Sequence, residues 1–128
     1  MNLLLDTHVA LWAIADSPRL GAAARELIVA PESGVWVSAA SIWEISIKHA
    51  LGRGVMPISG SRALAWFREA GFSLLPVLPE HAAAVEHLPD LHRDPFDRLL
   101  VAQALHEPMR LLSHDAMVLR YSATFIVA

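Results

Sequence analysis

Short runs of apolar residues alternate along this chain with stretches in which apolar positions recur at helical spacing. The runs are continuous, which is typical of strands in a parallel sheet that is covered on both faces. Five strands are predicted, at residues 2–6, 34–39, 73–78, 110–115 and 123–128. Pro76 lies within the third run, so this strand is expected to be irregular or to form an edge of the sheet.

Helical patterns occupy the segments between the apolar runs. They are predicted at residues 8–15, 20–30, 40–51, 61–70, 80–88, 95–107 and 115–120. Gly52, Gly54, Gly60 and Gly71 mark expected helix ends or loops. Because strands and helices alternate, the pattern predicts an α/β sandwich with a mostly parallel sheet and right-handed crossovers.

The composition favours one folded domain covering residues 1–128. The chain has 128 residues, of which 55% are hydrophobic, which is enough for a substantial core and excludes disorder. No apolar run approaches the roughly 20 residues that a membrane span needs. The first residues, MNLLLDTH, lack the positive flank and longer apolar stretch of a signal peptide, so we expect a cytoplasmic protein without membrane contacts.

Charge and residue usage restrict the classes of site. A formal net charge of −3 argues against a large nucleic-acid surface of its own, but permits a small metal site acting on a phosphate backbone. The absence of cysteine excludes disulfides and thiolate zinc sites. Most of the seven histidines are interpreted as solvated helix residues, because they form no tight ligand motif. His8 and His114 adjoin candidate acids and are candidates for a phosphate contact.

Several acids follow the predicted strands at one edge of the sheet. Asp6 ends the first strand and Asp115 the fourth, and ligands of open α/β sheets bind beyond these carboxyl ends. The helix that opens at Asp94 is roughly 20 Å long, and the strand that follows it is about 17 Å long. If the two pack antiparallel, Asp94 and Asp97 return to the level of Asp115.

Glu44 lies about one and a half turns into the helix after the second strand, in an apolar context. An unpaired carboxylate there is costly, and either a metal ion or Lys48, one turn further on, would offset the cost. A cluster of carboxylates would repel itself without a cation, and the candidates for it are Asp6, Glu44, Asp94, Asp97 and Asp115. Oxygen ligands suit Mg²⁺ or Mn²⁺, and metal-assisted phosphodiester hydrolysis is the corresponding chemistry.

Each candidate also has a purely structural interpretation. Asp94 reads as a helix cap followed by proline at the first helical position, and Asp97 as an acid of the first turn. Glu44 has an ion-pair partner in Lys48 at helical spacing. These alternatives apply residue by residue and do not explain why the acids share one edge.

The remaining candidates have local alternatives too. Asp6 and Asp115 are compatible with ordinary turns at strand ends. Thr7 and Ser113 offer hydroxyls that either orient a carboxylate or a water molecule at the site, or bond only to the neighbouring backbone.

Four segments of the chain resemble PIN-domain ribonucleases, in particular VapC-type toxins. They are LLLDTHVALWAIAD, VSAASIWEISIKHALG, HRDPFDRLLVAQAL and LLSHD, which occur in the family's order and cover almost the entire chain. The resemblance implies a three-layer α/β/α fold around a parallel sheet. It also implies an endoribonuclease that hydrolyses RNA with Mg²⁺ or Mn²⁺.

The resemblance also assigns roles to residues. It implies that Asp6, Glu44, Asp97 and Asp115 are catalytic and metal-binding. We expect Asp6 and Asp97 to hold the principal metal, and Glu44 and Asp115 to complete the site or orient the attacking water.

Three further residues are secondary candidates: Asp94, Thr7 and Ser113. Asp94 belongs to the DPFD form of the third motif, and its direct role is left open. Ser113 stands where the family usually has threonine, and it keeps the hydroxyl.

Family members usually form homodimers and are silenced by a small antitoxin. The resemblance therefore implies both a second copy of the chain and an antitoxin as partners. We expect helices 8–15 and 40–51, with Trp12 and Trp43, to contribute a groove for an amphipathic antitoxin helix that carries an arginine.

Two other functions compete with the nuclease. A non-catalytic PIN-like interaction module would use the pocket only to bind a partner, and the intact acid set argues against it. A phosphatase or phosphotransfer domain commonly needs a nucleophilic aspartate with either a helper lysine or a second aspartate two residues on. Asp6-Thr7-His8 lacks the second aspartate, and Lys48 is poorly placed to be the helper lysine.

Overall fold

The computed structural model describes residues 1–52 and 56–128, and its strands form one parallel sheet. The strands are β1 (Asn2–Leu5), β2 (Gly34–Ser38), β3 (Ser73–Leu75), β4 (Arg110–Ser113) and β5 (Ile126–Val127). Their order across the sheet is β3-β2-β1-β4-β5, with every neighbouring pair parallel. The prediction of a mostly parallel sheet is therefore confirmed, and β3 forms an edge and ends just before Pro76, as the proline indicated.

Helices connect the strands at the predicted places. They are α1 (Thr7–Ala15), α2 (Ala22–Val29), α3 (Ala39–Ala50), α4 (Gly60–Glu69), α5 (Pro79–Ala84), α6 (Pro95–His106) and α7 (Ala116–Leu119). The predicted helix at 80–88 is divided, because α5 passes into a 3₁₀ turn at Val85–His87. Gly52 and Gly71 follow helix ends with positive φ angles of 64° and 80°, whereas Gly60 begins a helix; Gly54 lies outside the described residues.

The sheet separates two apolar layers. Leu3 and Leu5 of β1 point to one face and Leu4 to the other, because successive side chains of a strand alternate. The first layer also contains Phe67 of α4, and the second contains Leu100 of α6. With helices on both faces, the three-layer α/β/α arrangement is confirmed. No helix in the described ranges is sufficiently long and apolar to cross a lipid bilayer.

Helix α4 begins in close contact with α3. A Cβ atom on Gly60 would lie 1.8 Å from Oγ of Ser46 and 3.2 Å from the carbonyl oxygen of Ile42. We expect Gly60→Ala to lower the free energy of unfolding by about 1–3 kcal/mol, because the hydroxyl of Ser46 must leave its position and the carbonyl of Ile42 must shift slightly. Urea unfolding measures the change.

Gly21→Ala is the matched control for this substitution. The nearest atom to a Cβ on Gly21 lies at 3.5 Å, an ordinary contact distance. Equal effects of the two alanines would contradict the close packing of α3 against α4.

Candidate active site

The predicted site acids line one pocket at the carboxyl edge of the sheet. Its volume is about 210 Å³, and the lining residues are Asp6, Thr7, His8, Glu44, Lys48, His92, Asp94, Asp97, His114 and Asp115. Strands β1 and β4 are parallel neighbours, so their carboxyl ends deliver Asp6 and Asp115 to the same edge. Five carboxylates from four separate parts of the chain thus surround one small volume.

The side chain of Asp6 both caps a helix and lines the pocket. Its Oδ1 accepts a hydrogen bond of 2.8 Å from the backbone N–H of Val9 and caps α1. The residue is buried, and burial raises the pKa of its carboxyl, although a hydrogen bond from Ser113 and the charges of His114 and His8 act in the opposite direction. The turn interpretation is therefore correct for Asp6, and it does not exclude a role in the pocket.

Glu44 is held from two sides. Only 3% of this residue is exposed. The hydroxyl of Thr7 donates a hydrogen bond of 2.6 Å to Oε1, and Nζ of Lys48 pairs with Oε2. Burial alone would lower the pKa of Lys48, but the hydrogen bond to Glu44 and its charge outweigh burial and raise it. The ion pair expected from the sequence is present, and both of its members line the pocket.

The start of α6 carries two of the acids. Asp94 caps this helix, because its Oδ1 accepts a 3.0 Å hydrogen bond from the backbone N–H of Asp97. Burial, followed by the charges of Asp94, Asp6 and Glu44, raises the pKa of Asp97 to about 6, although a hydrogen bond from His92 opposes the shift. The pocket therefore holds more negative charge than its own side chains neutralise.

Asp115 and Ser113 form the fourth part of the site. Asp115 caps α7 by accepting a 2.8 Å hydrogen bond from the N–H of Met117. Its own N–H donates to Oγ of the buried Ser113 at 3.0 Å. Ser113 does not line the pocket itself, but its hydroxyl contacts both Asp6 and the backbone of Asp115 and so fixes the two acids relative to each other.

His92 was not recognised from the sequence. Its Nε2 lies 2.8 Å from Oδ2 of Asp97 and 3.4 Å from Oδ2 of Asp115, and its side chain is 19% exposed. The interpretation of most histidines as solvated residues is wrong for His92, and also for His81, which is fully buried. His8 and His114 lie beside the acids as expected, with their rings 6.0 Å apart.

The donor set fits a divalent cation. Carboxylate oxygens are the ligands that Mg²⁺ and Mn²⁺ prefer. Burial, and after it the neighbouring carboxylates, raise the pKa of Asp97 by disfavouring its ionised form, which a bound cation would stabilise. Ligand atoms of His92, Asp97 and Asp115 all lie within 4.8 Å of one another. Lys48 supplies a single positive charge to the five carboxylates of the pocket.

Comparisons with known proteins support the fold. The fold is similar to VapBC2 from Rickettsia felis bound to a promoter DNA fragment, with a TM-score of 0.72, 15% identity, and 100% of this chain and 98% of that chain covered. It is similar to FitAcB from Neisseria gonorrhoeae, with a TM-score of 0.63, 19% identity, and 98% and 96% covered. It is also similar to DNA-bound VapBC from Salmonella typhimurium, with a TM-score of 0.67, 12% identity, and 100% of this chain and 97% of that chain covered.

At the level of sequence, no curated protein matches the chain significantly. A family model described as PIN domain matches residues 3–123. This match spans the two layers of the fold and every acid of the pocket, so the family resemblance predicted from the motifs is confirmed. The chain belongs to the PIN domain family.

Proposed function

We propose that this protein is a metal-dependent endoribonuclease that hydrolyses RNA phosphodiester bonds, and that it is the toxin of a toxin–antitoxin pair. The observation that carries the proposal is the convergence of Asp6, Glu44, Asp94, Asp97 and Asp115 on one pocket. Membership of the PIN domain family and similarity to the VapBC structures support it. A single domain over residues 1–128 is the corresponding organisation.

The acidic side chains have separate roles in this proposal. Asp6 and Asp97 hold the principal Mg²⁺ or Mn²⁺, and Glu44 and Asp115 complete the site or orient the attacking water. When bound, a divalent cation supplies activation of water and neutralises charge on the phosphodiester. The remaining side chains keep the carboxylates in place.

The supporting hydroxyls have defined partners. Thr7 fixes Glu44, and Ser113 fixes Asp6 and Asp115. Asp94 positions Asp97 by capping the same helix. These contacts keep the acids in register without a metal, which is the preorganisation that a hydrolytic site requires.

Cleavage of pooled cellular RNA tests the function. The purified, antitoxin-free protein is incubated with Mn²⁺, with Mg²⁺ and with chelator, beside Asp6→Ala and the exposed-surface control Asp90→Asn. We expect cleavage that depends on metal, is lost in Asp6→Ala and persists in Asp90→Asn. A folded protein that leaves RNA intact under every condition would favour a non-catalytic interaction module instead.

An antitoxin and a second copy of the chain are the proposed partners. Helices α1 and α3 border the acidic pocket, and Trp43 of α3 is 58% exposed with its ring 5.2 Å from that of Phe96. An exposed tryptophan packed against a half-buried phenylalanine, beside an acidic pocket, suits an amphipathic helix that carries an arginine. Trp12 of α1 is the third aromatic residue of the proposed groove.

Substitution of Trp43 tests the groove. We expect Trp43→Ser to weaken binding of the cognate antitoxin at least about tenfold, because exposed aromatic anchors dominate such interfaces. Trp66→Ser is the matched control, since Trp66 of α4 is 36% exposed and lies outside the pocket. Unchanged antitoxin affinity in a folded Trp43→Ser protein would exclude the groove.

Metal binding is expected to depend on pH around the pKa of Asp97, which is about 6. The cation needs the ionised carboxylate, so the affinity for Mn²⁺ falls up to about tenfold for each pH unit below 6. Titration calorimetry at pH 7.5, 6.5 and 5.5 measures this. An affinity that is independent of pH would contradict a role for Asp97 as a ligand.

The stability of the metal-free protein should respond to pH in the opposite direction. Because the pKa of Asp97 is raised in the folded state, the folded protein binds a proton that the unfolded chain lacks between about pH 4 and 6. This carboxyl therefore makes unfolding harder as the pH falls through 6. Urea unfolding at pH 7 and 5.5 measures this contribution to the free energy of unfolding, and Asp97→Asn should remove it.

A further inference from the structure

His92 presents Nε2 directly to two carboxylates. The distances of 2.8 Å to Asp97 Oδ2 and 3.4 Å to Asp115 Oδ2 lie on either side of about 3 Å. That is the separation of adjacent ligands around an octahedral ion with bonds of about 2.1 Å. One small cation can therefore contact all three atoms after small side-chain movements. The three side chains are 19–32% exposed, so the position is accessible from solvent.

The backbone of His92 is fixed from a distant part of the chain. Oη of Tyr121 accepts a 3.0 Å hydrogen bond from the N–H of His92 and donates one of 3.0 Å to the carbonyl of Pro89. Nη1 of Arg98 donates to the carbonyl of His92 at 3.2 Å and to Oη of Tyr121 at 3.1 Å. The backbone of His92 is thus fixed by a network of hydrogen bonds, and this places the start of its side chain at the edge of the pocket.

His81 provides a comparison with His92, because both of its ring nitrogens make hydrogen bonds within the protein. Nδ1 of His81 accepts a 3.0 Å hydrogen bond from the N–H of Leu78, so Nε2 carries the ring proton and donates to Glu107 at 2.6 Å. Neither nitrogen is left for a metal. In the metal-free protein Nε2 of His92 also donates a hydrogen bond, to Asp97, but Nδ1 makes none to any described residue. The ring proton can therefore move to Nδ1, and Nε2 can bind a cation in place of the hydrogen bond.

We propose that His92 is a nitrogen ligand of a divalent cation that it shares with Asp97 and Asp115, and that it makes this position prefer Mn²⁺ over Mg²⁺. Carboxylates suit both ions, whereas imidazole favours transition metals. The inference rests on the proposed nuclease function, because it concerns the same pocket. It adds a ligand that the acid motifs do not contain.

Pulsed electron paramagnetic resonance of the Mn²⁺-loaded full-length protein tests the inference. A coordinated imidazole gives a ¹⁴N coupling on the Mn²⁺ signal, whereas carboxylate and water ligands give none. We expect the coupling in the unmodified protein, its loss in His92→Ala and its persistence in His114→Ala. Titration calorimetry should show at least an about tenfold weaker Mn²⁺ affinity in His92→Ala, with a smaller change for Mg²⁺.

The outcomes separate this inference from the proposed function. Mn²⁺ binding and RNA cleavage without any ¹⁴N coupling would overturn the ligand role of His92 and leave the nuclease intact. Coupling that persists in a folded His92→Ala protein would do the same, since another histidine must then supply it. If no Mn²⁺ binds to the folded protein, both proposals fail.

A second pair of variants covers the case in which His92→Ala does not fold. His8, His92 and His114 are the histidines of the pocket lining. Coupling retained in the double variant His8→Ala/His114→Ala assigns the nitrogen to His92, and coupling lost in that folded protein overturns the assignment.

Discussion

Asp97→Asn is expected to reduce RNA cleavage about a thousandfold while it stabilises the metal-free protein. The proposed loss of activity follows from removing a charged ligand at the reacting centre. The gain in stability follows because burial and the neighbouring carboxylates disfavour the ionised side chain of Asp97 and raise its pKa to about 6. Asparagine keeps the shape and an oxygen for the hydrogen bond from His92, and we expect about 1 kcal/mol of stabilisation at pH 7.

Cleavage assays and urea unfolding in chelator measure the two effects of Asp97→Asn. Asp90→Asn, in the exposed segment before α6, controls for the loss of one negative charge and should change neither quantity. An Asp97→Asn protein that cuts RNA at the normal rate would remove Asp97 from the proposed machinery. Reduced stability in chelator would show that the carboxylates do not repel one another.

Lys48→Met is expected to destabilise the metal-free protein by about 2–3 kcal/mol. The substitution keeps most of the aliphatic stem but leaves the carboxylate of Glu44 buried without its ammonium partner. The double variant Glu44→Gln/Lys48→Met should recover most of the loss, because no unpaired charge then remains.

Adding Mn²⁺ to the Lys48→Met protein should also restore stability. In the proposed site a cation in the pocket can take over the neutralisation that Lys48 provides. Thermal unfolding with and without Mn²⁺ measures this recovery, with Lys48→Arg as the variant that keeps the charge. If the single and double variants were equally unstable, the loss of stability in Lys48→Met would come from lost packing and not from the broken ion pair.

The sequence predicts the framework of the fold because the relevant signals are local. Continuous apolar runs indicate a covered parallel sheet, and the lengths of α6 and β4 suffice to bring Asp97 to the level of Asp115. The strand ends place Asp6 beside them. For the same reason, the candidate site could be outlined from five acids without any long-range information.

His92 escaped prediction because nothing local marks it. Its position depends on Tyr121, which is 29 residues away in sequence, and on Arg98. Such hydrogen bonds leave no periodic pattern. Burial of His81 was missed for a similar reason, since its partner Glu107 lies 26 residues further on. Pairings at this range become visible only when the chain is folded.

The double use of three aspartates has a consequence for how this protein can change. Asp6, Asp94 and Asp115 each cap a helix with the carboxylate that also lines the pocket. Asparagine caps a helix about as well as aspartate, whereas alanine does not. A codon change of one base, from aspartate to asparagine, would therefore leave the helix starts intact and remove a charge from the pocket. Under the proposed function, an active nuclease and a folded, inactive copy of it are therefore separated by a single base change.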